Sequence, residues 1–300
     1  MKATVFIHTN HRQMIGALVA QHTMKRNSKN PDKFDVQIIH TKDYPFLKEK
    51  EGQEFLRDGY TRPWRYEDLQ SFTPLRFMPP ELMNYEGRAV IMDPDIFAVG
   101  DIWELLSRDM GDHAIMCRAR SGAKGREGCM ASSVMLLDCA KLTHWKCEEQ
   151  FNKLFTGELD YMDWICLRTE SRDSIGLLEP YWNDFDRLKE DTRLLHNTRR
   201  LTQPWKTGLP IDFTPADKSR RFPIIGWLMR WRRKLFGEHA LLGRYLRHPD
   251  RNQERFFFAM LKECMDEGIV TEEMIRQEME RNHVRHDAFE VMERTPKMAA

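Results

Sequence analysis

Residues 88–106 read R-A-V-I-M-D-P-D-I-F-A-V-G-D-I-W-E-L-L, and this stretch decides the fold. The apolar run 89–92 predicts a buried strand, which stops at Pro94 because proline has no backbone N–H to donate to a sheet. Asp93 and Asp95 flank that proline, and two carboxylates at a strand end can share a hard divalent cation. Open α/β folds bind ligands at this edge of the sheet, so the stretch predicts an α/β fold with a candidate cation site.

A competing interpretation is that Asp93 and Asp95 are surface turn residues. A D-x-D triplet is short enough to arise by chance, and a second one stands at 184–186. The first triplet follows a strand-like run and precedes a helix start, whereas the second lies in a polar stretch. Asp101 is explained as the N-cap of that helix, with Glu104 completing a capping box. From the residues alone, both interpretations of Asp93 and Asp95 stay open.

The composition is that of a globular protein with a sizeable core. The chain has 300 residues, of which 41% are hydrophobic and 31% charged. A net charge of +1 gives no reason to expect a nucleic acid partner. We find no signal-peptide pattern after Met1 and no apolar run of bilayer length. The six cysteines include no C-x-x-C pair and most fall in apolar contexts, which predicts that most are reduced core residues and that the protein is cytoplasmic.

Strand-like and helix-like segments alternate through the first two thirds of the chain. Strands are predicted at 3–9, 34–40, 89–93, 113–117 and 132–138, and helices at 12–24, 67–78, 102–107 and 140–155. This alternation predicts a mostly parallel central sheet with helices on both faces. Neither G-x-G-x-x-G nor a P-loop occurs, so a dinucleotide fold or an NTPase has no motif support.

The composition changes after Pro204, which predicts an α/β domain at 1–215 and a helical C-terminal extension at 216–300. Charged helices are expected there at 252–267 and 271–282, with a frayed tail from about Val291.

The segment 220–236 reads R-R-F-P-I-I-G-W-L-M-R-W-R-R-K-L-F. A helix here places on one face the apolar residues Ile224, Trp227, Leu228, Trp231 and Leu235, and opposite them Arg230, Arg233 and Lys234. Arg232 interrupts this segregation. Residues 222–236 therefore predict either an interfacial helix on an anionic membrane or a helix packed on the protein with its cations in water.

Taken in order, the motifs of residues 3–206 resemble those of glycosyltransferase family 8, the glycogenin-like and lipopolysaccharide-galactosyltransferase-like enzymes with a GT-A fold. The matching stretches are V-F-I-H-T-N (5–10), P-L-R-F-M-P-P-E-L-M (74–83), D-P-D (93–95), V-G-D-I-W-E-L (99–105), S-S-V-M-L-L-D (132–138), D-Y-M-D-W-I-C-L (160–167), E-P-Y-W-N (179–183) and L-L-H-N-T-R-R-L-T-Q-P-W-K (194–206). The order of these stretches carries the resemblance more than any single one does.

The resemblance implies a metal-dependent transferase. It would move a sugar from a nucleoside-diphosphate sugar, with UDP-sugar as the favoured donor, to a hydroxyl of a saccharide or lipid-linked saccharide. Configuration at the anomeric carbon would be retained. Asp93, Asp95 and His196 would bind Mn²⁺ or Mg²⁺, a ligand set whose imidazole and carboxylates suit manganese. The basic aromatic segment would attach this cytoplasmic protein peripherally to the inner face of a membrane.

Further roles follow from the same resemblance. Thr9 and Asn10 would contact the nucleotide, Arg76 would reach the diphosphate, and Asp163 would lie at the sugar end of the pocket. Lys206, or one of the arginines 199 and 200, would supply a second cation at the diphosphate, because charge develops there as the bond breaks.

The chain departs from the family pattern at several positions. An asparagine of the family falls on Ala131, its phosphate-binding lysine on Gln203, and a glycine on Arg199 or Arg200. These losses motivate an alternative, a catalytically inactive member that serves as a sugar-binding or membrane-docked scaffold. A nucleotide-sugar hydrolase or nucleotidyltransferase is a third interpretation, although no Gly-rich loop supports a nucleoside-triphosphate site.

Overall fold

In the computed structural model of the chain, the described residues are 2–120, 128–213, 227–228, 231–232, 235–237, 239 and 241–298. The strands are β1 (Ala3–Thr9), β2 (Phe34–His40), β3 (Glu54–Arg57), β4 (Tyr60–Pro63), β5 (Arg88–Met92), β6 (Ile96–Ala98), β7 (Ile115–Ala119), β8 (Met130–Asp138), β9 (Ile175–Leu177), β10 (Asp184–Phe185) and β11 (Leu194–His196). The helices are α1 (Met14–Arg26), α2 (Pro45–Glu49), α3 (Pro79–Leu82), α4 (Trp103–Leu106), α5 (Cys147–Thr156), α6 (Tyr161–Ile165), α7 (Arg251–Asp266), α8 (Glu272–Glu280) and α9 (Ala288–Arg294).

The central sheet has six strands in the order β2-β1-β5-β8-β7-β9. Strands β2, β1 and β5 pair in parallel, as do β7 and β9, whereas β8 runs antiparallel to both of its neighbours. A three-stranded sheet, β10-β11-β6, and the hairpin β3-β4 lie outside it. The prediction of an α/β fold with a mostly parallel sheet is confirmed, with one reversed strand.

Two hydrophobic clusters cover the two faces of the central sheet, because successive side chains of a strand point to opposite faces. Val5 and Ile7 of β1 belong to a cluster that includes residues of α1 and α7, while Phe6 belongs to a cluster that includes Trp145 and Trp164. The helices therefore flank both faces, as the alternating pattern predicts.

Several predicted elements differ from the observed ones. Residues 67–78 form turns and a short 3₁₀ helix at Thr73–Phe77 instead of an α-helix, because Pro74 lacks the N–H that a helix interior needs. The helix expected from residue 140 begins only at Cys147. The tail expected to fray from Val291 is the helix α9, and Val291 and Met292 are buried. The hairpin β3-β4 has no counterpart among the predicted elements.

The C-terminal helices share the core of the α/β layers. Phe256 and Phe257 of α7 pack against Phe97, and Phe257 stacks on Trp205 at a centroid distance of 4.6 Å. Residues 214–226 lie outside the described part of the chain, so the boundary between 215 and 216 stays a prediction.

The basic aromatic segment is described only in part. Ile224, Arg230, Arg233 and Lys234 lie outside the described residues. The described residues that share the predicted apolar face are helical, and each is at least half exposed: Trp227, Leu228, Trp231 and Leu235. Within the described chain, no helix has the length and apolar character to cross a bilayer.

Most of the cysteines are reduced core residues, as predicted: Cys117, Cys139, Cys147 and Cys264 are free and buried. The other two, Cys129 and Cys166, form a disulfide across 37 residues of sequence. The fold brings them together because β8 begins beside the end of α6, where the Met130 amide donates to the Cys166 carbonyl at 3.2 Å.

Gly16 of α1 is where this helix approaches the turn between Asp93 and Asp95. A Cβ at Gly16 would lie 2.8 Å from the Pro94 carbonyl oxygen, closer than packed atoms come. This backbone oxygen cannot rotate away, so the glycine lets α1 fix the turn that carries both carboxylates.

We expect Gly16→Ala to lower the melting temperature by about 2–5 °C, because overpacking of roughly 1–3 kcal/mol exceeds the helix propensity that alanine adds. Thermal unfolding with and without MnCl₂ measures both this loss and any loss of stabilisation by the metal. Gly100→Ala is the matched control, since its added methyl would meet mainly the movable Arg193 side chain, and it should cost less. An unchanged melting temperature in Gly16→Ala would contradict the packing argument.

Candidate functional site

A cleft of about 160 Å³ lies beyond the end of β5. Its lining includes all three predicted metal ligands, Asp93, Asp95 and His196, together with Arg76 and Arg200. Asp93 directly follows β5, and His196 is the last residue of β11. The cleft thus opens at strand ends, where the sequence predicts that the D-P-D triplet binds a cation.

Backbone pairing between β6 and β11 assembles the ligand set. The two strands are antiparallel, with Ile96 opposite His196. The Asn197 amide donates to the Asp95 carbonyl at 3.0 Å, which continues the pairing into the D-P-D turn. Candidate ligand atoms of Asp93, Asp95 and His196 all lie within 4.8 Å of one another, so the set can hold one ion.

Asp93 is held by two basic side chains. Arg76 Nη2 donates to Asp93 Oδ1 at 2.5 Å, and His8 Nε2 lies 2.7 Å from the same oxygen. Burial alone would raise the pKa of Asp93, but the charge of Arg76, the hydrogen bond and charge of His8 and the charge of His196 outweigh it and hold that pKa well below its usual range. The carboxylate is therefore ionised, and Oδ2 accepts no hydrogen bond from any described residue.

Asp95 and His196 present free ligand atoms toward each other. Asp95 Oδ1 is buried without a hydrogen-bond donor and lies 3.4 Å from His196 Nε2, while Oδ2 accepts from Gln203 at 3.1 Å. Asn183 Oδ1 lies 2.8 Å from His196 Nδ1, and its Nδ2 donates to Ser133 at 2.9 Å. An Nδ1–H bond to Asn183 leaves the Nε2 lone pair for a metal.

These groups fit a divalent cation. A buried carboxylate oxygen without a donor carries a large desolvation penalty, which an ion at this point would remove. Two carboxylates and one imidazole match the preferences of Mn²⁺, with Mg²⁺ as the harder alternative.

The prediction of Lys206 as a cation of the cleft is wrong. Its side chain is fully buried, does not line the cleft and donates to Asp212 at 2.6 Å. Burial lowers the pKa of Lys206, and the charge of Asp212 opposes this shift. Tyr245 donates its hydroxyl to the other Asp212 oxygen, Oδ1. The lysine is therefore held in the protein interior by Asp212, outside the lining of the cleft.

Asp163 also lies outside the lining of the cleft. It is half exposed and accepts from Arg168 at 2.7 Å. Tyr161 and Ile165 of α6 do line the cleft, and Asp163 points elsewhere because a residue two positions along a helix is turned by about 200°.

Thr9 and Asn10 are placed behind the cleft wall. Both are buried and neither lines the cleft. Asn10 Nδ2 donates to the carbonyls of Asp68 and Leu69 and to the Ser71 hydroxyl, at 3.0–3.2 Å. Its role in this structure is to position the loop 68–71, of which Leu69 lines the cleft.

Among the cations proposed for the diphosphate, only Arg200 joins Arg76 in the cleft. Arg199 is exposed and lies 4.0 Å from Asp186. Gln203, at the position of the family's lysine, is held by Asp95 and by Gln13. The Arg200 side chain makes no hydrogen bond or ion pair with the described residues, and it lies 5.3 Å from the Phe213 ring. Arg76 Nε is likewise buried without a partner.

Three polar residues without a predicted role hold the groups of the site in place. His8 contacts Asp93, Asn183 contacts His196, and Ser132 accepts from Arg76 Nη1 at 2.8 Å. Their only signal in the sequence is their position within the motifs at 5–10, 132–138 and 179–183.

The second D-x-D triplet is structural, as its polar context indicates. Asp184 accepts from Lys189 and Thr192, and Asp186 accepts from Thr198.

No protein-family model matches the chain, and no curated protein matches it in sequence. Among solved structures, the apo form of the glycosyltransferase GlyE of Streptococcus pneumoniae TIGR4 is similar over 90% of this chain, with 14% identity and a TM-score of 0.49. The chain spans 64% of the length of GlyE. The galactosyltransferase LgtC, in complex with donor and acceptor sugar analogs, is similar over 77% of this chain and 100% of its own, with 13% identity and a TM-score of 0.45.

Mouse xyloside xylosyltransferase 1 is similar over 66% of this chain and 98% of its own, with 12% identity and a TM-score of 0.43. By name, all three proteins are glycosyltransferases.

Proposed function

We propose that the chain is a metal-dependent glycosyltransferase that moves a sugar from a nucleoside-diphosphate sugar to an acceptor hydroxyl. The observation that carries the proposal is the convergence of Asp93, Asp95 and His196, with a buried Asp95 oxygen that has no donor. Two arginines with unused donors, Arg76 and Arg200, line the same cleft. A diphosphate with its metal ion needs carboxylates to bind the cation and guanidinium groups to bind the phosphate oxygens, and this cleft has both.

Each residue of the cleft has a separate proposed role. Asp93, Asp95 and His196 would hold Mn²⁺ or Mg²⁺, which when bound neutralises charge on the donor's diphosphate. Arg76 and Arg200 would donate to phosphate oxygens whose negative charge grows as the sugar leaves. His8 and Asn183 position ligands, since each contacts one of them directly. A UDP-sugar is the proposed donor, as the resemblance implies.

The stereochemistry is proposed as retention. Asp93 and Asp95 are the only carboxylates among the described residues that line the cleft. In the proposed function both would bind the metal. Enzymic nucleophiles of the carboxylate type are therefore lacking in the described lining, and Asp163 does not supply one. The anomeric proton of the first-formed product, followed by NMR, would establish the configuration.

Replacing Asp95 by alanine should abolish manganese-dependent binding and turnover, because the variant removes a ligand from a three-residue set. We expect UDP with MnCl₂ to raise the melting temperature of the wild type by mass action and to leave Asp95→Ala unshifted. Release of UDP from UDP-sugars should fall at least about 100-fold. Asp163→Ala is the control and should behave as the wild type. Full manganese-dependent turnover in Asp95→Ala would refute the metal assignment.

Arg200→Gln and Arg199→Gln form a matched pair of neighbouring arginines. Loss of a charge-assisted hydrogen bond of about 1.5–3 kcal/mol should weaken manganese-dependent UDP binding roughly 10- to 100-fold in Arg200→Gln. Arg199 is exposed and outside the cleft, so its variant should bind as the wild type. Titration calorimetry gives both dissociation constants. Equal affinities in the two variants would remove Arg200 from the donor site.

One observation favours the alternative of a catalytically inactive scaffold: Asp163 and Lys206, both predicted at the site, do not line the cleft. An inactive protein would bind UDP-sugars and manganese without releasing UDP in the presence of a broad panel of saccharides. The same calorimetric and UDP-release measurements therefore separate the two functions.

The exposed aromatic segment supports a further part of the proposal, peripheral attachment of a cytoplasmic protein to the inner face of a membrane. Trp227 and Trp231 are 52% and 51% exposed, with ring centroids 5.8 Å apart. The sequence from 218 to 236 contains seven arginines and lysines and no acidic residue. Tryptophans and cations together suit an anionic lipid surface, at which a lipid-linked saccharide could serve as acceptor.

We expect the protein to sediment with phosphatidylserine-containing vesicles and the variant Trp227→Ser/Trp231→Ser to bind about tenfold or more weakly, because both rings lose their apolar burial. Leu177→Ser, which alters an exposed apolar side chain elsewhere, is the control. Absence of wild-type binding to these vesicles would exclude membrane attachment through this segment.

A further inference from the structure

A second cavity of about 110 Å³ adjoins the cleft. We name it the arginine pocket, and its lining includes the four arginines Arg57, Arg62, Arg65 and Arg200, the single carboxylate Asp68, and the aromatic residues Phe55, Trp64 and Tyr161. Four cations around so small a space set it apart from an ordinary surface groove, because like charges at short range repel.

The arginine pocket and the cleft share a wall. Arg57, Gln70, Tyr161 and Arg200 line both cavities. The metal ligands line only the cleft, whereas Arg62 lines only the arginine pocket. A ligand whose reacting end lies near the metal could therefore extend past this wall with its far end among the arginines.

The hairpin β3-β4 carries two of these arginines on a firm support. Arg57 lies over the Tyr161 ring at 4.5 Å, and Arg62 lies over the Phe55 ring at 5.8 Å. Asp160 accepts from the amides of Asp58 and Gly59 at 3.0 and 2.8 Å, which ties the hairpin turn to the start of α6. The Tyr161 ring holds the guanidinium plane of Arg57 while leaving N–H groups at its edge for an anion.

Two guanidinium charges of the pocket have no hydrogen-bond or ion-pair partner among the described residues. The Arg57 side chain makes no hydrogen bond or ion pair with the described residues, and the same holds for Arg200. Burial lowers the pKa of Arg200, the charge of Asp68 opposes this, and the charge of Arg57 lowers it further. Arg65 has its own partner, Glu51, at 3.1 Å. Arg57 and Arg200 thus remain near each other with only Asp68 as an acid in the lining.

We propose that the arginine pocket binds an anionic group, a carboxylate or a phosphate, carried by the acceptor saccharide. Guanidinium groups bind both anions through paired N–H donors, and a charged acceptor would neutralise the charges of Arg57 and Arg200, which have no hydrogen-bond or ion-pair partner among the described residues. Assignment to the acceptor rests on the proposed function, in which the diphosphate of the donor is bound at the metal ligands, Arg76 and Arg200. Arg62 lies beyond the shared wall, on the side away from the metal.

The experiment uses the full chain with MnCl₂ and UDP, and measures by NMR titration the binding of matched sugars: glucose, glucuronate and glucose 6-phosphate. We expect the wild type to bind at least one of the anionic sugars about tenfold or more tightly than glucose. The variant Arg57→Gln/Arg62→Gln should lose this preference and keep its manganese-dependent affinity for UDP. Arg276→Gln, on the exposed side of α8, is the control and should keep both.

Three outcomes would overturn the inference. The first is equal binding of neutral and anionic sugars by the wild type. The second is a loss of UDP binding together with anion binding in the double variant. The third is that inorganic phosphate competes for the arginine pocket as strongly as glucose 6-phosphate does. The second result would assign the arginines to the donor, and the third would make the pocket a site for a free anion.

Arg57→Gln alone provides the same comparison if the double variant does not fold. Absence of manganese-dependent UDP binding in the wild type would instead refute the proposed function, whatever the sugars do.

Discussion

The site depends on one stretch of backbone pairing, between β6 and β11. This antiparallel pair places His196 opposite Ile96, immediately after the D-P-D turn, and the bond from Asn197 to the Asp95 carbonyl fixes the register. A slip of one residue would turn the imidazole to the other face, because strand side chains alternate. The three candidate metal ligands, the cleft and the proposed chemistry all require this register.

Buried charge is the second constraint. Asp93 is kept ionised by Arg76 and His8, while Asp95 keeps one oxygen without a donor. Such an arrangement lowers stability, since buried polar groups cost free energy when unpaired, and structures retain it where a ligand completes the set. The Lys206–Asp212 pair beneath the cleft is different, because there each charge already has its partner.

Much of the fold could be predicted from local patterns. Periodicity alone predicts the strands β1, β2, β5 and β8 from their apolar runs and the helix α7 from its amphipathic pattern. The hairpin β3-β4 could not, because its alternation is weak and it is stabilised by contacts with α6 that lie about 100 residues away. The same hairpin brings Arg57 and Arg62 to the arginine pocket, so this cavity could not be predicted from the sequence.

Residue type and short-range spacing were enough to predict the D-P-D triplet after a strand and the alternating α/β order. The three candidate metal ligands followed instead from the resemblance of the motifs, because His196 lies far along the chain from Asp93 and Asp95. Only the tertiary structure decided which basic residue lines the cleft. Arg200, Arg199 and Lys206 are equivalent as cations in a sequence, and they differ through burial and partners. Packing directions, set by contacts distant along the chain, placed Arg200 in the cleft, Arg199 in solvent and Lys206 in the core.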